Sequence, residues 1–278
     1  MRDWIKRLPD TDVRILYFLM ALLVTIPLVK PMGLPLIITD SVRKTYNRVN
    51  QVVQAGDIVL IDVEFDPQRA AEMEPLLMGL GRHVASRGAK IILYSMSPGG
   101  FRFEIQFEEI VRREFKMEYG KDILSLPYRA GQEGAYASLG KDMKGLYNED
   151  YYGKPLAQYP LWQRIKSVAD VKLALIFASA DEPVWFIRQV SQVNKIETMA
   201  GTAPSAAAYL TPFWQSGQLT GFVVGTSGGA EYEKLSGFIG KAAAQMDSQS
   251  VGHFLITLFV ILGNVGYILT RADEKKAK

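Results

Sequence analysis

The sequence predicts an α/β protein: a Rossmann-like, mainly parallel β-sheet with helices on both faces, flanked by N- and C-terminal transmembrane helices. Three observations predict this class. Short apolar runs alternate with amphipathic helical patterns over residues 39–250, and uncharged apolar segments occur near both ends of the chain. The first short run, residues 58–61, is Ile-Val-Leu-Ile and has no polar alternation. A strand of this kind is buried on both faces, which is typical of a parallel sheet covered by helices.

These observations divide the chain into three parts. Residues 1–38 form an N-terminal tail and transmembrane helix, residues 39–250 form the α/β domain, and residues 251–278 form a second transmembrane helix with a basic C-terminal tail. A length of 278 residues and a hydrophobic content of 48% are enough for one large domain besides the membrane segments.

The N-terminal membrane segment is the less regular of the two. Residues 15–29 are uncharged and strongly apolar before Lys30 interrupts them. If the Lys30 ammonium reaches the interface, residues 31–38 extend the apolar tract, and a tilted or proline-kinked span of about 20 residues results. No small-x-small cleavage site follows the apolar run, which favours an uncleaved anchor over a signal peptide.

The C-terminal segment, residues 251–269, is almost wholly apolar and is followed by basic residues. Two spans place both termini on the same side of the membrane, and basic termini favour the cytoplasm as that side. The terminal basic residues are Arg2, Lys6, Arg7, Arg14, Arg271, Lys275, Lys276 and Lys278. We therefore predict a protein of the cytoplasmic (inner) membrane with an extracytoplasmic domain. Basic residues also follow the first span, at positions 30, 43, 44 and 48, and these favour the opposite orientation.

Periodicity and turn residues predict the elements of the domain. Strands are predicted at residues 58–61, 89–95, 123–126, 171–179, 196–199 and 219–225. Helices are predicted at residues 39–54, 68–88, 101–117, 183–193, 203–214 and 230–246, the last continuing towards the second span, with a further helix within residues 131–145. His83 is expected to be a partly exposed residue of its helix, and residues 148–156 to form an exposed polar loop.

Polar and glycine-rich turns follow several of these strands. In a parallel sheet, ligands bind beyond the carboxyl ends of the strands, so these turns converge on one candidate face. The candidate ligand-binding residues are Asp62, Glu64, Asp66, Ser97, Gly99, Gly100, Asp181, Glu182, Thr202, Ser205, Thr226, Ser227 and Gly228. A glycine-rich turn that opens a helix suits an anion. Taken singly, each turn is more typical of an ordinary connection with a helix cap.

Composition excludes several chemistries. The chain has no cysteine and two histidines, which excludes a thiolate metal site, a cysteine nucleophile and a zinc site built on several histidines. The formal net charge of +3 excludes a concentrated basic surface for nucleic acid. No phosphate-binding G-x-x-x-x-G-K-[ST] sequence occurs, and no G-x-G-x-x-G follows the first strand. We predict no cofactor, no metal and no catalytic residue.

Two alternatives remain open for the strand-end residues. The acids Asp62, Glu64, Asp66, Asp181 and Glu182 are of the type that binds Mg²⁺ or Ca²⁺, although solvated strand ends explain them equally well. Residues 97–100, Ser-Pro-Gly-Gly, resemble the oxyanion loop of membrane-bound serine peptidases, with Ser138 as nucleophile and Lys141 or Lys144 as base. The sequence around Ser138 departs from the Ser-Gly-Gly pattern of those enzymes.

Several segments resemble an uncharacterised family of bacterial two-span membrane proteins with an α/β domain. They are residues 60–67 (LIDVEFDP), 86–90 (SRGAK), 151–156 (YYGKPL), 203–208 (APSAAA), 218–222 (QLTGF) and 229–233 (GAEYE). The resemblance spans nearly the whole region between the apolar ends. It implies the two-span α/β organisation, and it implies no activity because the family has none assigned.

The predicted function is that of a membrane-anchored, non-catalytic binding or scaffold subunit of a larger membrane assembly, which recognises a partner or ligand at the strand-end face. Its predicted partners are the lipid bilayer and other membrane proteins, in a homo- or hetero-oligomer. The alternatives are a membrane-bound hydrolase, based on a Ser-Lys pair or on acids, and a solute-binding sensor or transport component.

Overall fold

The computed structural model describes residues 12–277 of the chain. These residues form two compact units: one is Leu36–Ala242, and the other contains the described residues on either side of it. Some of the basic residues on which the predicted membrane orientation depends lie outside the described residues. They are Arg2, Lys6, Arg7 and Lys278.

The α/β unit contains a six-stranded sheet in which all neighbouring strands are parallel. The strands are β1 (Ile58–Glu64), β2 (Lys90–Tyr94), β3 (Ile123–Ser125), β4 (Leu173–Ala178), β5 (Glu197–Thr202) and β6 (Gly221–Val224). Their order in the sheet is β3-β2-β1-β4-β5-β6, which is the order of doubly wound, Rossmann-like sheets. The predicted α/β class is confirmed, and the sheet is wholly parallel where a mainly parallel one was predicted.

Helices flank the strands along the chain. They are α1 (Val13–Val29), α2 (Asp40–Val52), α3 (Ala70–Ser86), α4 (Phe101–Phe115), α5 (Gln132–Lys141), α6 (Met143–Leu146), α7 (Pro160–Gln163), α8 (Glu182–Phe186), α9 (Gln192–Asn194), α10 (Pro204–Gln215), α11 (Gly225–Ser236) and α12 (Lys241–Ala277). Helices α2 to α11 belong to the α/β unit and cover both faces of its sheet, whereas α1 and most of α12 belong to the other unit. A π-helical turn, Ile187–Ser191, joins α8 to α9.

Strand β1 is buried along its whole length, as its lack of alternation predicts. Successive residues of a strand point to opposite faces, so β1 contributes to two cores. Ile61 and Val63 pack with residues of α2, α3 and α4 in one core. Leu60 packs with residues of α5 and α8 in the other. Asp62 and Glu64 alternate with Ile61 and Val63 and therefore lie on the face that α5 and α8 cover.

One predicted helix, over residues 230–246, is wrong as a single element. Helix α11 ends at Ser236, and α12 begins at Lys241. Gly237 follows α11 with a φ of 79°. Glycine adopts this left-handed conformation without steric penalty and commonly ends helices for that reason. The apolar periodicity continues past Gly237, but the helical backbone does not.

The predicted extension of the N-terminal span is also wrong as a helix. Helix α1 ends at Val29, and residues 31–39 are not helical. Among the described residues, one helix, Lys241–Arg271, is long and apolar enough to cross a membrane, whereas α1 has 17 residues.

A buried carboxylate fixes the chain after α1. Asp247 of α12 accepts hydrogen bonds from the backbone N–H groups of Met32, Gly33 and Leu34, at 2.6, 2.8 and 3.0 Å. Charge-assisted bonds of this kind are stronger than those between neutral groups. They satisfy three N–H groups that the non-helical segment would otherwise leave unpaired.

His83 is buried, which contradicts its predicted partial exposure. Its ring stacks on Tyr46 at a centroid distance of 4.8 Å. Its nitrogens lie 2.8 Å from the Tyr232 hydroxyl and 3.2 Å from Asn50 Oδ1. Burial, with a contribution from the charge of Arg87, lowers the pKa of His83 to about 4. A neutral imidazole therefore joins α2, α3 and α11.

Asp150 makes several of the hydrogen bonds that fix the loop after α6. Asp150 is 1% exposed and accepts hydrogen bonds from the hydroxyls of Tyr119 and Tyr159 at 2.9 and 2.6 Å. It also accepts from the backbone N–H groups of Tyr152 and Lys154. The loop is mostly exposed, as predicted, and Asp150 gives it a defined conformation.

Candidate functional site

The candidate site lies where the strand order reverses, between β1 and β4. In doubly wound sheets a crevice opens at this point beyond the carboxyl ends of the strands. Glu64 ends β1 and lies in register beside Ala178, which ends β4. Glu182 is the first residue of α8, the helix that follows β4. The fold therefore brings together acids that are more than a hundred positions apart in the chain.

Two acids of β1 form the base of the site. Asp62 is in register with Tyr94 of β2 and accepts a hydrogen bond from the Tyr136 hydroxyl of α5 at 2.8 Å. Glu64 accepts a hydrogen bond from the backbone N–H of Met96. Asp62 is fully buried and Glu64 is 3% exposed. Both carboxyls are therefore separated from bulk water, which disfavours their charged forms.

A cavity of about 430 Å³ lies above these acids. It is lined by Glu64, Met96, Ser97, Pro98, Tyr128, Ala130, Gly131, Gln132, Tyr136, Glu182 and Trp185. The ring centroids of Tyr136 and Trp185 are 6.2 Å apart. No lysine, arginine or histidine is among the described residues of the lining. The volume and the mixture of aromatic and polar side chains are typical of a small-molecule site.

Asp62 and Glu64 form a pair of interacting carboxyls. Burial raises the pKa of Asp62, and burial and the charge of Asp62 together raise the pKa of Glu64 well above its usual value. Both shifts favour the protonated forms. A protonated Glu64 carboxyl donates a hydrogen bond to Asp62, which lowers the pKa of Asp62 and raises its own.

Glu182 is the third acid of the cavity. Burial, and then the negative charges of Asp62 and Asp181, raise the pKa of Glu182 to about 7. Its Oε2 is buried without a hydrogen-bond partner among the described residues. Glu182 therefore changes its charge near neutral pH while one of its oxygens remains available to a donor.

Further buried polar groups lie near the Asp62–Glu64 pair. The Tyr94 hydroxyl interacts with Asp62 and lowers the pKa of that carboxyl. The Tyr147 hydroxyl and both Glu104 carboxyl oxygens have no hydrogen-bond partner within the described part of the chain. Burial raises the pKa of Glu104 well above its usual value, and the charges of Glu108 and Asp62 add to the effect, so the neutral form of Glu104 is favoured.

Three of the predicted site residues line the cavity: Glu64, Ser97 and Glu182. Asp62 lies beneath it, in contact with the lining residue Tyr136. Asp181, one position before Glu182, is exposed and is outside the lining.

The turn after β2 packs against β1. A Cβ atom at Gly100 would lie 1.8 Å from the Val63 carbonyl oxygen, and one at Gly99 would lie 2.1 Å from Asp66 Oδ1. Ser95 also donates a hydrogen bond to the Val63 carbonyl at 2.8 Å. The glycines are therefore explained by close packing of the turn on the end of β1, and Asp66 by its contact with the same turn.

The predicted residues after β5 and β6 also lie outside the cavity lining. Thr202 is buried and donates to the Ala178 carbonyl oxygen at 2.8 Å, which ties β5 to β4. Ser205 is exposed in the first turn of α10. Of the α11 residues, Thr226 is half-buried, Ser227 is exposed and Gly228 is buried.

Sequence reasoning missed the aromatic half of the site. Tyr128, Tyr136 and Trp185 come from the segment before α5, from α5 and from α8. Tyr147 and Trp162, by contrast, pack in the core. Trp185 could have been found from its spacing, because it lies three residues after Glu182 and residues three apart on a helix lie on the same face.

Ser138 and the strand-end acids are the residues of the alternative peptidase and metal-site hypotheses. Ser138 is exposed on α5, and its hydroxyl donates to the Gly134 carbonyl of the same helix at 3.0 Å. Within residues 12–277, no group of three or more histidine or carboxylate side chains is arranged to hold a metal ion.

Comparisons with known proteins found no match. No protein-family model, no curated protein and no solved structure matches the chain. The fold and site define a Rossmann-like α/β protein with an acidic and aromatic cavity, and one helix of its described part is long and apolar enough to cross a membrane.

Proposed function

We propose that the protein is a membrane-anchored, non-catalytic binding protein, which holds a small ligand in the cavity between β1 and β4. The cavity itself carries this proposal: it lies at the point of the sheet where doubly wound proteins bind ligands, and it has the size of a small-molecule site. Its lining supplies flat apolar surface from Tyr128, Tyr136 and Trp185, and polar groups from Glu64 and Glu182. This division between packing surface and a few polar groups supports binding with defined orientation.

The membrane part of the proposal has two levels of support. The length and composition of Lys241–Arg271 support one span. We further propose that α1 crosses or enters the membrane as a second segment, with the termini in the cytoplasm and the α/β unit outside it. Tyr17, Phe18 and Ile26 of α1 are exposed large hydrophobic residues, as lipid or another membrane protein would require.

We also propose that the protein works as a subunit of a larger membrane assembly, in line with its resemblance to bacterial two-span membrane proteins. Purification of the full chain in mild detergent, followed by size analysis, tests this part. A complex larger than one chain is expected. A strictly monomeric particle without a co-purifying protein contradicts it.

Native mass spectrometry of the full chain, purified from its source, tests ligand binding. We expect a bound small molecule that Ala130→Trp removes. Ala130 is an exposed residue of the cavity lining, so a tryptophan there blocks the cavity without entering the core. The matched control is Ala157→Trp, which places the same side chain at an exposed position outside the cavity. Preparations with no bound molecule, or equal retention in both variants, contradict the proposal.

An acid-based hydrolase is the second candidate function. The observation that favours it is the Asp62–Glu64 pair, because two interacting carboxyls can act as acid and base in hydrolysis. A broad screen of hydrolase substrates tests it. Turnover in the wild type that both Asp62→Asn and Glu64→Gln abolish would establish the hydrolase in place of the non-catalytic function.

A further inference from the structure

The cavity has a charge composition that selects among ligands. Two carboxyls, Glu64 and Glu182, line it, and none of its described lining residues is basic. The charged groups that act on these two carboxyls are also acids: Asp62 and Glu182 act on Glu64, and Asp62 and Asp181 act on Glu182. The ionised acids repel an anionic ligand here, whereas a cation relieves the mutual repulsion of the acids.

One acid of the lining has an unused oxygen. Glu182 Oε2 is buried without a hydrogen-bond partner among the described residues. A buried carboxylate oxygen without a partner is unfavourable, and an N–H donor on a ligand would remove this penalty. This is an observation independent of the acidic character of the cavity, and it favours a ligand that carries both positive charge and N–H groups.

The remaining lining suits the carbon part of such a ligand. Trp185, Tyr128 and Tyr136 present aromatic rings, and Met96 adds a flexible apolar side chain. Aromatic faces attract cations, and tryptophan does so most strongly. A bare metal ion gains little from these rings, and the described residues offer it no cluster of three ligands. The lining therefore favours an organic cation.

We propose that the cavity binds a small organic cation of the alkylammonium class, whose nitrogen pairs with Glu182 and Glu64 and whose carbon chain packs against Trp185 and Tyr128. This inference rests on the proposed function, and it adds the chemical class of the ligand. Binding is coupled to proton release, because a cation favours the ionised forms of the two acids. The titratable groups around them are Asp62 on β1, Tyr94 on β2, Tyr136 on α5, Tyr147 after α6, Asp181 beside α8 and Tyr209 on α10.

Calorimetric titration of the full chain in mild detergent tests the inference with three probes of similar size: n-butylammonium, 1-butanol and butyrate. At about pH 8 we expect n-butylammonium to bind at least roughly tenfold more tightly than 1-butanol, and butyrate to give no saturable heat. Ala130→Trp should abolish the binding of n-butylammonium.

Two variants test the role of Glu182. Glu182→Gln should weaken the binding of n-butylammonium by roughly tenfold or more. Asp181→Asn removes the same charge at the adjacent, exposed position and should change the affinity by less than about threefold. Between about pH 8 and pH 5.5 the wild-type affinity should fall by roughly tenfold, because an alkylammonium keeps its positive charge up to about pH 10 whereas Glu182, with a pKa of about 7, loses its negative charge over this range.

The possible outcomes separate this inference from the function on which it rests. Equal affinity for 1-butanol and n-butylammonium, or an unchanged affinity in Glu182→Gln, overturns the cationic ligand. If 1-butanol or butyrate then binds in a manner that Ala130→Trp abolishes, the cavity still binds ligands. If no probe binds but the native preparation holds a small molecule, the cationic class is overturned and the binding function stands. If no probe binds and no molecule is held, both are overturned.

Discussion

Glu182 illustrates how a single partly buried acid connects stability to pH. Its pKa rises from the ordinary value of 4.5 to about 7 in the folded protein, chiefly because of burial. Between these two values the folded chain keeps a proton that the unfolded chain releases. Folding stability therefore decreases as pH rises through this window, because the unfolded state binds fewer protons than the folded state.

We accordingly predict that Glu182→Gln makes the stability of the protein less dependent on pH. In the wild type, the free energy of unfolding should fall between about pH 4.5 and pH 7, and in the variant the fall should be shallower, since glutamine does not ionise. Denaturant titration of the full chain in detergent across this range measures both slopes. Asp181→Asn is the control, and identical slopes in Glu182→Gln and the wild type would contradict the prediction.

The hydroxyl of Tyr136 has a different role, because it is the direct donor to Asp62. Its hydrogen bond lowers the pKa of Asp62 and so opposes the effect of burial. We predict that Tyr136→Phe destabilises the protein by about 1–3 kcal/mol, the usual penalty for an unsatisfied buried group. The loss should be larger at about pH 8 than at about pH 5, because an ionised Asp62 needs the donor more than a protonated one.

Unfolding curves of Tyr136→Phe at the two pH values check this prediction. Tyr152→Phe is the matched control, because Tyr152 is 49% exposed. A loss of stability in Tyr136→Phe that is the same at both pH values would mean that packing, and not the bond to Asp62, explains the effect.

At the scale of elements, the sequence predicts the sheet well because its strands are short apolar runs separated by amphipathic helices. The strand-end rule also predicts Glu64, Ser97 and Glu182 as residues of one face. The rule does not say which strand ends are neighbours, so it also selected Thr202 and Thr226, which lie outside the cavity lining. Strand order depends on pairings between distant segments, which local periodicity does not encode.

Sequence reasoning missed the aromatic side of the site for a related reason. Tyr136 and Trp185 belong to α5 and α8, and the rotation of each helix about its axis decides whether such a residue faces the core or the cavity. The break between α11 and α12 could have been predicted from the sequence, since Gly237 is a typical glycine at the end of a helix. The apolar pattern continues past Gly237, and it favoured one continuous helix.

The turn between β2 and α4 gives a prediction at this scale. Gly100→Ala should destabilise the protein by about 1–3 kcal/mol or more, because the new methyl group would overlap the Val63 carbonyl oxygen at the end of β1. Gly134→Ala is the matched control: Gly134 is exposed in α5, and a Cβ there meets no atom within 4 Å. That variant should be neutral or more stable by about 0.5–1 kcal/mol.

Thermal or denaturant unfolding of the two glycine variants distinguishes a packing requirement from a general effect of glycine replacement. A stable Gly100→Ala protein would show that the turn can move away from β1. The glycine at position 100 would then need another explanation, such as the close approach of a ligand.

At the scale of the whole molecule, the structure divides into an α/β unit and a unit that contains α1 and most of α12. Within the second unit, Asp247 organises the non-helical segment that follows α1. We predict that Asp247→Asn increases hydrogen exchange at Met32, Gly33 and Leu34, because an amide offers one acceptor oxygen where the carboxylate offers two. Asp40→Asn, at an exposed aspartate, is the control.

Hydrogen exchange with mass analysis of the full chain in detergent measures this effect. Peptides that cover residues 30–36 should exchange faster in Asp247→Asn than in the wild type, and peptides from the sheet should not change. Unchanged protection over residues 30–36 would show that other contacts hold the segment.

The burial of His83 limits how this protein can respond to acidity. Histidine is the side chain that ordinarily changes charge near neutral pH, and His83 is the single histidine between residues 36 and 242. Its pKa of about 4 keeps it neutral over the physiological range. Within the α/β unit, a change of charge near neutral pH therefore belongs to carboxyls such as Glu182, which lose a negative charge on protonation, whereas a histidine would gain a positive one.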